Sequence, residues 1–185
     1  MTISTKPIQP GEIDRLYRHM NPPDNTDHRA CADLQSRGEG TYLVAWDGEV
    51  PVAHLYIRWT GNTEVPRIAG RLPQAAQFAA YPEFCDVYVT PERRSKGIGT
   101  LLLEGAMLMA CERGIAQVTL CVDTDNPRAR SLYERLGFVE PGIGVFTTSG
   151  VYVNEAGQEV PWRNGPQFLL VLDLFSSARL CTIQA

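Results

Sequence analysis

FCDVYVTPERRSKGIGTLLLEGAMLMACERGIAQVTLCV, residues 84–122, decides how this chain folds. Phe84–Val89 is dense in β-branched and aromatic residues and reads as a strand, which Pro91 ends. From Ile98 the apolar residues Leu101, Leu102, Leu108 and Met109 recur at helical spacing. A helix is therefore predicted to Arg113, with Gly114 as its C-terminal cap. Gln117–Val122 is a second strand. Strand, helix and strand in that order predict a parallel pair joined by a crossover helix, the mark of the α/β class.

Asn126-Pro127 opens a further helix, because Asn caps the first turn and Pro is pre-set for its first position. Ala129, Leu132, Tyr133 and Leu136 share one face of it, and Gly137 ends it. Upstream, TYLVAWDGEVPVAHLYIRW (41–59) reads as a β-hairpin turning at Asp47-Gly48. Residues 11–19 and 27–37 read as short helices. Residues 60–80 are rich in Gly, Pro and Ala and form a long loop with a helical piece near 74–80. Loops of that length usually serve function. Val145–Val153 and Gln167–Leu174 read as strands joined by a turn at 154–157, and 176–185 as a tail.

The chain has 185 residues, 44% hydrophobic and 21% charged, the mix of a soluble globular fold. That length predicts one domain, over residues 1–175. With 17 basic and 21 acidic residues the net charge is -4. This balance argues against a duplex nucleic-acid partner and against polybasic membrane adhesion. MTISTKPIQPGEIDRLYR lacks the apolar core of a signal peptide. The longest apolar run, Ile98–Cys111, is broken by Glu104 and is too short to span a bilayer. Five cysteines, an odd count without CxxC spacing, read as free thiols in a reducing cytoplasm. His19, His28 and His54 have no metal-ligand spacing, and no metal is expected.

Residues 89–100, VTPERRSKGIGT, link the first central strand to a helix N-terminus. Gly97 and Gly99 let the backbone curl so that several N–H groups face one concavity. The free amides and dipole of the following helix make it an anion cradle. Arg93, Arg94 and Lys96 add positive charge, and Lys96 is one of only two lysines in the chain. A phosphorylated ligand fits. Neither the Walker pattern nor the third glycine of a dinucleotide fingerprint is present.

NPRARSLYERLGF (126–138) follows one strand later. Arg94-Ser-Lys-Gly97-Ile-Gly99, together with Asn126, Ala129, Tyr133 and Gly137-Phe138, resembles the two signatures of the GCN5-related N-acetyltransferase (GNAT) superfamily. The resemblance implies a mixed, strongly twisted sheet of six or seven strands with about four helices, its central parallel strands splayed. It implies acetyl-CoA as donor and direct transfer to an amine. The pyrophosphate would lie on the amides of Arg94, Ser95, Lys96, Gly97, Ile98, Gly99 and Thr100. The pantetheine would pair near Val87 and Val89, with Asn126 close to the cofactor.

An ammonium must lose a proton before it attacks, and a departing thiolate gains from receiving one. In the resemblance Tyr133 is the acid and Glu83 the base, with a water relay as the alternative base. Asp86, which strand alternation places on the other face from Glu83, is a candidate for binding a cationic acceptor, as is Glu83 itself. Asp123 and Asp125 add to the acidic mouth, and Trp59, Trp162 and the loop 60–80 are candidate walls of an acceptor pocket. The expected acceptor is the primary amine of a small cation such as an aminoglycoside antibiotic. A protein N-terminus or lysine, and a non-catalytic acyl-CoA-binding regulatory domain, are the alternatives. A homodimer is compatible with every one of these readings.

Overall fold

Seven strands form one mixed sheet in the order β1-β2-β3-β4-β5-β7-β6, in a computed structural model that describes residues 3–20, 26–153 and 157–176. The strands are β1 (Ile3–Pro7), β2 (Gly40–Asp47), β3 (Val50–Arg58), β4 (Glu83–Val89), β5 (Gln117–Asp123), β6 (Val145–Val153) and β7 (Glu159–Asp173). The helices are α1 (Ile13–Met20), α2 (His28–Ser36), α3 (Val65–Ile68), α4 (Ile98–Glu112) and α5 (Pro127–Arg135). Among the described residues only β4 and β5 run parallel, as the crossover through α4 requires. Among the described residues no helix is long and apolar enough to cross a membrane.

The two faces of the sheet are covered differently. α4 and α5 lie on one face, where Leu102, Leu103, Met107 and Tyr133 pack with Phe84, Val118 and Leu120. On the other face α1 and α2 cover β2 and β3 through Leu16, Met20, Tyr42 and Tyr56. α3 and the 3-10 turn Pro73–Phe78 cover β7 and β6 through Val65, Ile68, Phe78 and Leu169. Each large side chain so buried contributes about 1.5–3 kcal/mol.

Local chemistry sets the boundaries. Asp27 caps α2 by accepting from the Ala30 N–H at 3.0 Å, and Asn126 caps α5 by accepting from the Ala129 N–H at 3.1 Å. The hairpin turns at Gly48-Glu49, one residue later than its sequence signal, with Gly48 at φ +60°.

Four expectations change. β1 is an additional strand, paired antiparallel to β2 from Ile3↔Asp47 to Pro7↔Leu43. β7 starts at Glu159 rather than Gln167, because its first half pairs only with β6. The loop 60–80 holds α3 as well as the helical piece, and both bury apolar side chains. α4 buries Ile98, Leu102, Leu103, Ala106, Met107 and Ala110, whereas Leu101 is 39% exposed. The turn at 154–157 and the tail at 176–185 fall, apart from Gly157 and Ser176, outside the described residues.

Candidate active site

β4 and β5 share a single register pair, Glu83↔Thr119, and then diverge. The divergence has a local cause. Against β3, the pairs Tyr56↔Cys85 and His54↔Tyr88 leave Asp86 and Val87 opposite Leu55 alone. Asp86 takes φ +52° to make this bulge. A bulge bends its strand and adds twist, which carries β4 away from β5. It also resets the alternation of side chains. Phe84, Val87 and Val89 all face α4 and α5, and Cys85 and Tyr88 face the other side. Asp86 sits at the bulge itself, so strict alternation does not place it.

The fork opens onto two helix N-termini. α5 satisfies its first turn through Asn126. α4 does not: its N-cap is Gly97, at φ +80°, which makes no side-chain cap bond. The first N–H groups of a helix have no partner within it, so those of α4 are available to a ligand. A Cβ on Gly97 would meet nothing within 4 Å, so the space over these amides is open. Gly99 serves packing instead: a Cβ there would stand 3.3 Å from Leu132 Cδ2 and 3.7 Å from Val89 Cγ2, inside the fork.

The result is a cleft of about 440 Å³ between β4, α4 and α5. It brings together the predicted Val87, Val89, Arg94, Ser95, Gly97, Ile98, Gly99, Thr100, Asn126 and Tyr133. Lys96 is exposed and outside its lining. Arg93 reaches the cleft but is paired with Asp47 at 2.8 Å. Arg94 bridges the loop to the strand, donating from Nε to the Val89 carbonyl at 3.0 Å. Sequence reasoning missed Arg128, which donates to Ser95 Oγ at 2.5 Å from the first turn of α5, and Arg135 on the same helix. Arg128 stands two residues after Asn126, so its place in that motif was the available signal.

Tyr133 is 6% exposed and lines the cleft. Its ring meets Phe138 edge-on at 6.1 Å. Its hydroxyl makes no hydrogen bond with any described residue. Burial pushes its pKa up to about 12, so it stays protonated at neutral pH.

Glu83 and Asp86 do not line this cleft. Glu83 lies at the closed end of the fork, 3% exposed. Its carboxylate accepts from Thr63 N–H at 3.2 Å and Thr63 Oγ at 3.0 Å, with Arg58 Nε at 3.7 Å. Burial raises its pKa above the usual carboxylate range, against the lowering by Thr63 and Arg58. On the same side a second cavity of about 520 Å³ opens between the end of β5 and the first half of β7. Asp123 and Asp125 line it together with Cys121, Asn164 and Gln167. Trp59 and Trp162 do not wall either space. Trp59 donates to Thr41 Oγ1 and lies under Arg113, and Trp162 lies under Arg67. Among the described residues no group of three or more His, Cys, Asp or Glu could hold a metal ion.

Comparison with known proteins gives the same outline. The model of the acetyltransferase (GNAT) family matches residues 12–138. The N-acetyltransferase YhfO of Bacillus subtilis is 42% identical over an alignment of 127 residues that covers 62% of this chain and 85% of that protein. A mycothiol acetyltransferase of Kocuria rhizophila is 28% identical over 148 residues. That alignment covers 74% of this chain, which spans only 46% of that relative's length. Arabidopsis thaliana NAA60, crystallised with acetyl-CoA, superposes with a TM-score of 0.63 at 18% identity, over 95% of this chain and all of that one. A splayed parallel pair, an amide cradle at the helix that follows and a family match across both motifs lead to one conclusion: the chain belongs to the acetyltransferase (GNAT) family.

Proposed function

We propose that this protein transfers the acetyl group of acetyl-CoA to a primary amine of a small cationic molecule, of which an aminoglycoside is one example. One observation carries the reading: the uncapped N-terminus of α4, ringed by arginines, opens into the fork between β4 and β5. Amides aimed at one point, with Ser95 and Arg128 beside them, match the phosphates of a nucleotide-like cofactor. The unpaired edge of β4 toward β5, with Val87 and Val89 facing the cleft, matches an elongated amide-bearing arm.

Bound acetyl-CoA supplies an activated acetyl thioester, and the protein supplies position and protons. Val87, Val89, Leu132 and Tyr133 give the fork an apolar lining. Glu83, whose pKa burial raises, receives the proton of the acceptor ammonium directly or through ordered water. Tyr133 donates its hydroxyl proton toward the departing sulfur, which leaves as a thiol. The overall exchange is balanced: amine and acetyl-CoA become amide and free CoA.

Gly97→Asp tests the reading. Its carboxylate would stand in the open space over the α4 amides and repel phosphate. Calorimetric affinity for acetyl-CoA should fall by about 10²-fold or more. Gly97→Asn, which tolerates the same backbone without the charge, should lose far less. Unchanged affinity in Gly97→Asp would remove the cradle from the mechanism.

A further inference from the structure

The second cavity has a feature that its acidic rim alone does not give it. Gln167 is 5% exposed, yet it lines that space. Its Nε2 donates to Glu64 at 3.3 Å, and Asn164 Nδ2 reaches the same carboxylate at 3.5 Å. Thr148 donates its hydroxyl to Glu64 as well. An ionised carboxylate only accepts, so it must draw the NH2 side of both amides toward itself. Their oxygens are then the groups left over, and neither makes a hydrogen bond with any described residue. The Gln167 oxygen is not among the sealed, unpartnered atoms of the interior, and its residue lines the cavity.

Topology ties this cavity to the reaction. Cys121 on its wall is two residues from Thr119, which pairs with Glu83 at the closed end of the fork. Glu64 follows Thr63, which holds the Glu83 carboxylate. The cavity includes Cys121 of β5, which packs with α3, whereas the cofactor cleft is lined from β4, α4 and α5. Burial, and then the neighbouring Asp125 charge, hold Asp123 above the usual carboxylate range. A cation placed between the two would relieve that repulsion. Arg163, the one basic residue of the lining, is exposed at the rim.

We propose that this cavity is the acceptor pocket and that Glu64 is its positioning residue, turning the Asn164 and Gln167 amides so that their oxygens, with Asp123 and Asp125, face an amine carrying at least two cationic groups. The inference rests on the acetyltransferase reading and deepens it. A surface made of hydrogen-bond acceptors favours ammonium donors and disfavours carboxylates and phosphates, which keeps the cofactor out of the acceptor side.

The test uses the full chain and two separate readouts. Acetyl-CoA binding is measured by calorimetry without amine. Thiol release is then followed with spermidine, kanamycin and the monoamine butylamine. Spermidine or kanamycin should exceed butylamine in kcat/KM by about tenfold or more, the effect of one added charge-assisted contact. Glu64→Gln, which can offer its own NH2 and so release the amides, should raise KM for the better polyamine about tenfold with little change in kcat or acetyl-CoA affinity. Asp125→Asn, an exposed change that leaves the fold alone, should shift KM the same way. If acetyl-CoA binds and amines turn over while both variants keep wild-type KM, the inference is overturned and the acetyltransferase reading stands. A preference for butylamine, or no turnover of any of the three amines, overturns it too. Failure of acetyl-CoA to bind at all is the separate failure of the broader reading.

Discussion

Tyr133 separates structure from chemistry at a single atom. Its ring is part of the core, but its hydroxyl has no partner among the described residues. Removing the oxygen therefore strands no donor and leaves the packing intact. Tyr133→Phe should melt like the wild type and bind acetyl-CoA equally well, while kcat falls by about 10²-fold. The pH profile assigns the second proton. Burial raises Glu83, so the rise in rate with pH should fall above the ordinary carboxylate range, survive in Tyr133→Phe and vanish in Glu83→Gln. Much of this site is legible in the sequence, because Arg94, Gly97, Gly99, Asn126 and Tyr133 stand at fixed spacing within two contiguous motifs. The residues that are not legible reach it through space. Arg93 is ion-paired with Asp47, which the β2–β3 hairpin brings to it. Glu64 finds Asn164 and Gln167 across about a hundred residues, from a loop with no periodicity to read.

β4 shows the same divide at the level of an element. Its existence follows from composition, but the fork depends on where it bulges, and Cys85-Asp86-Val87 carries no glycine to announce that. Asp is one of the few residues that tolerate a left-handed backbone, which is the faint signal at Asp86. A β-branched side chain does not tolerate it. Asp86→Val should lose about 1–2 kcal/mol in denaturant titrations, whereas Asp86→Gly should stay within about 1 kcal/mol of the wild type. Equal loss in both would assign the cost to the Asp86 side chain and not to the bulge. α4 fails to declare its face for a different reason. It is apolar nearly all round, so spacing alone could not choose Leu103 and Met107 over Leu101 and Leu108. What covers each side is settled by β4 beneath it and by solvent above Leu101.

Across the whole molecule, charge is sorted around the short connection from β5 to α5. Asp123 and Asp125 line one side of it, and the next residue, Asn126, lines the cleft that also holds Arg94, Arg128 and Arg135. The net charge of -4 therefore acts differently on acetyl-CoA and on the proposed acceptor. For a polycationic acceptor the global field and the local carboxylates attract together. For the phosphates of the cofactor the local arginines attract while the rest of the protein repels. Salt screens both contributions beyond a Debye length of about 10 Å at 0.1 M. For the acceptor the screened terms add, and for the cofactor they largely cancel. Raising ionic strength from about 0.02 to 0.2 M should increase KM for spermidine several-fold while acetyl-CoA affinity changes much less. Asp125→Asn should flatten the spermidine dependence and leave that of acetyl-CoA in place. Equal salt slopes for the two substrates would mean that the acceptor enters from the arginine side of the fork.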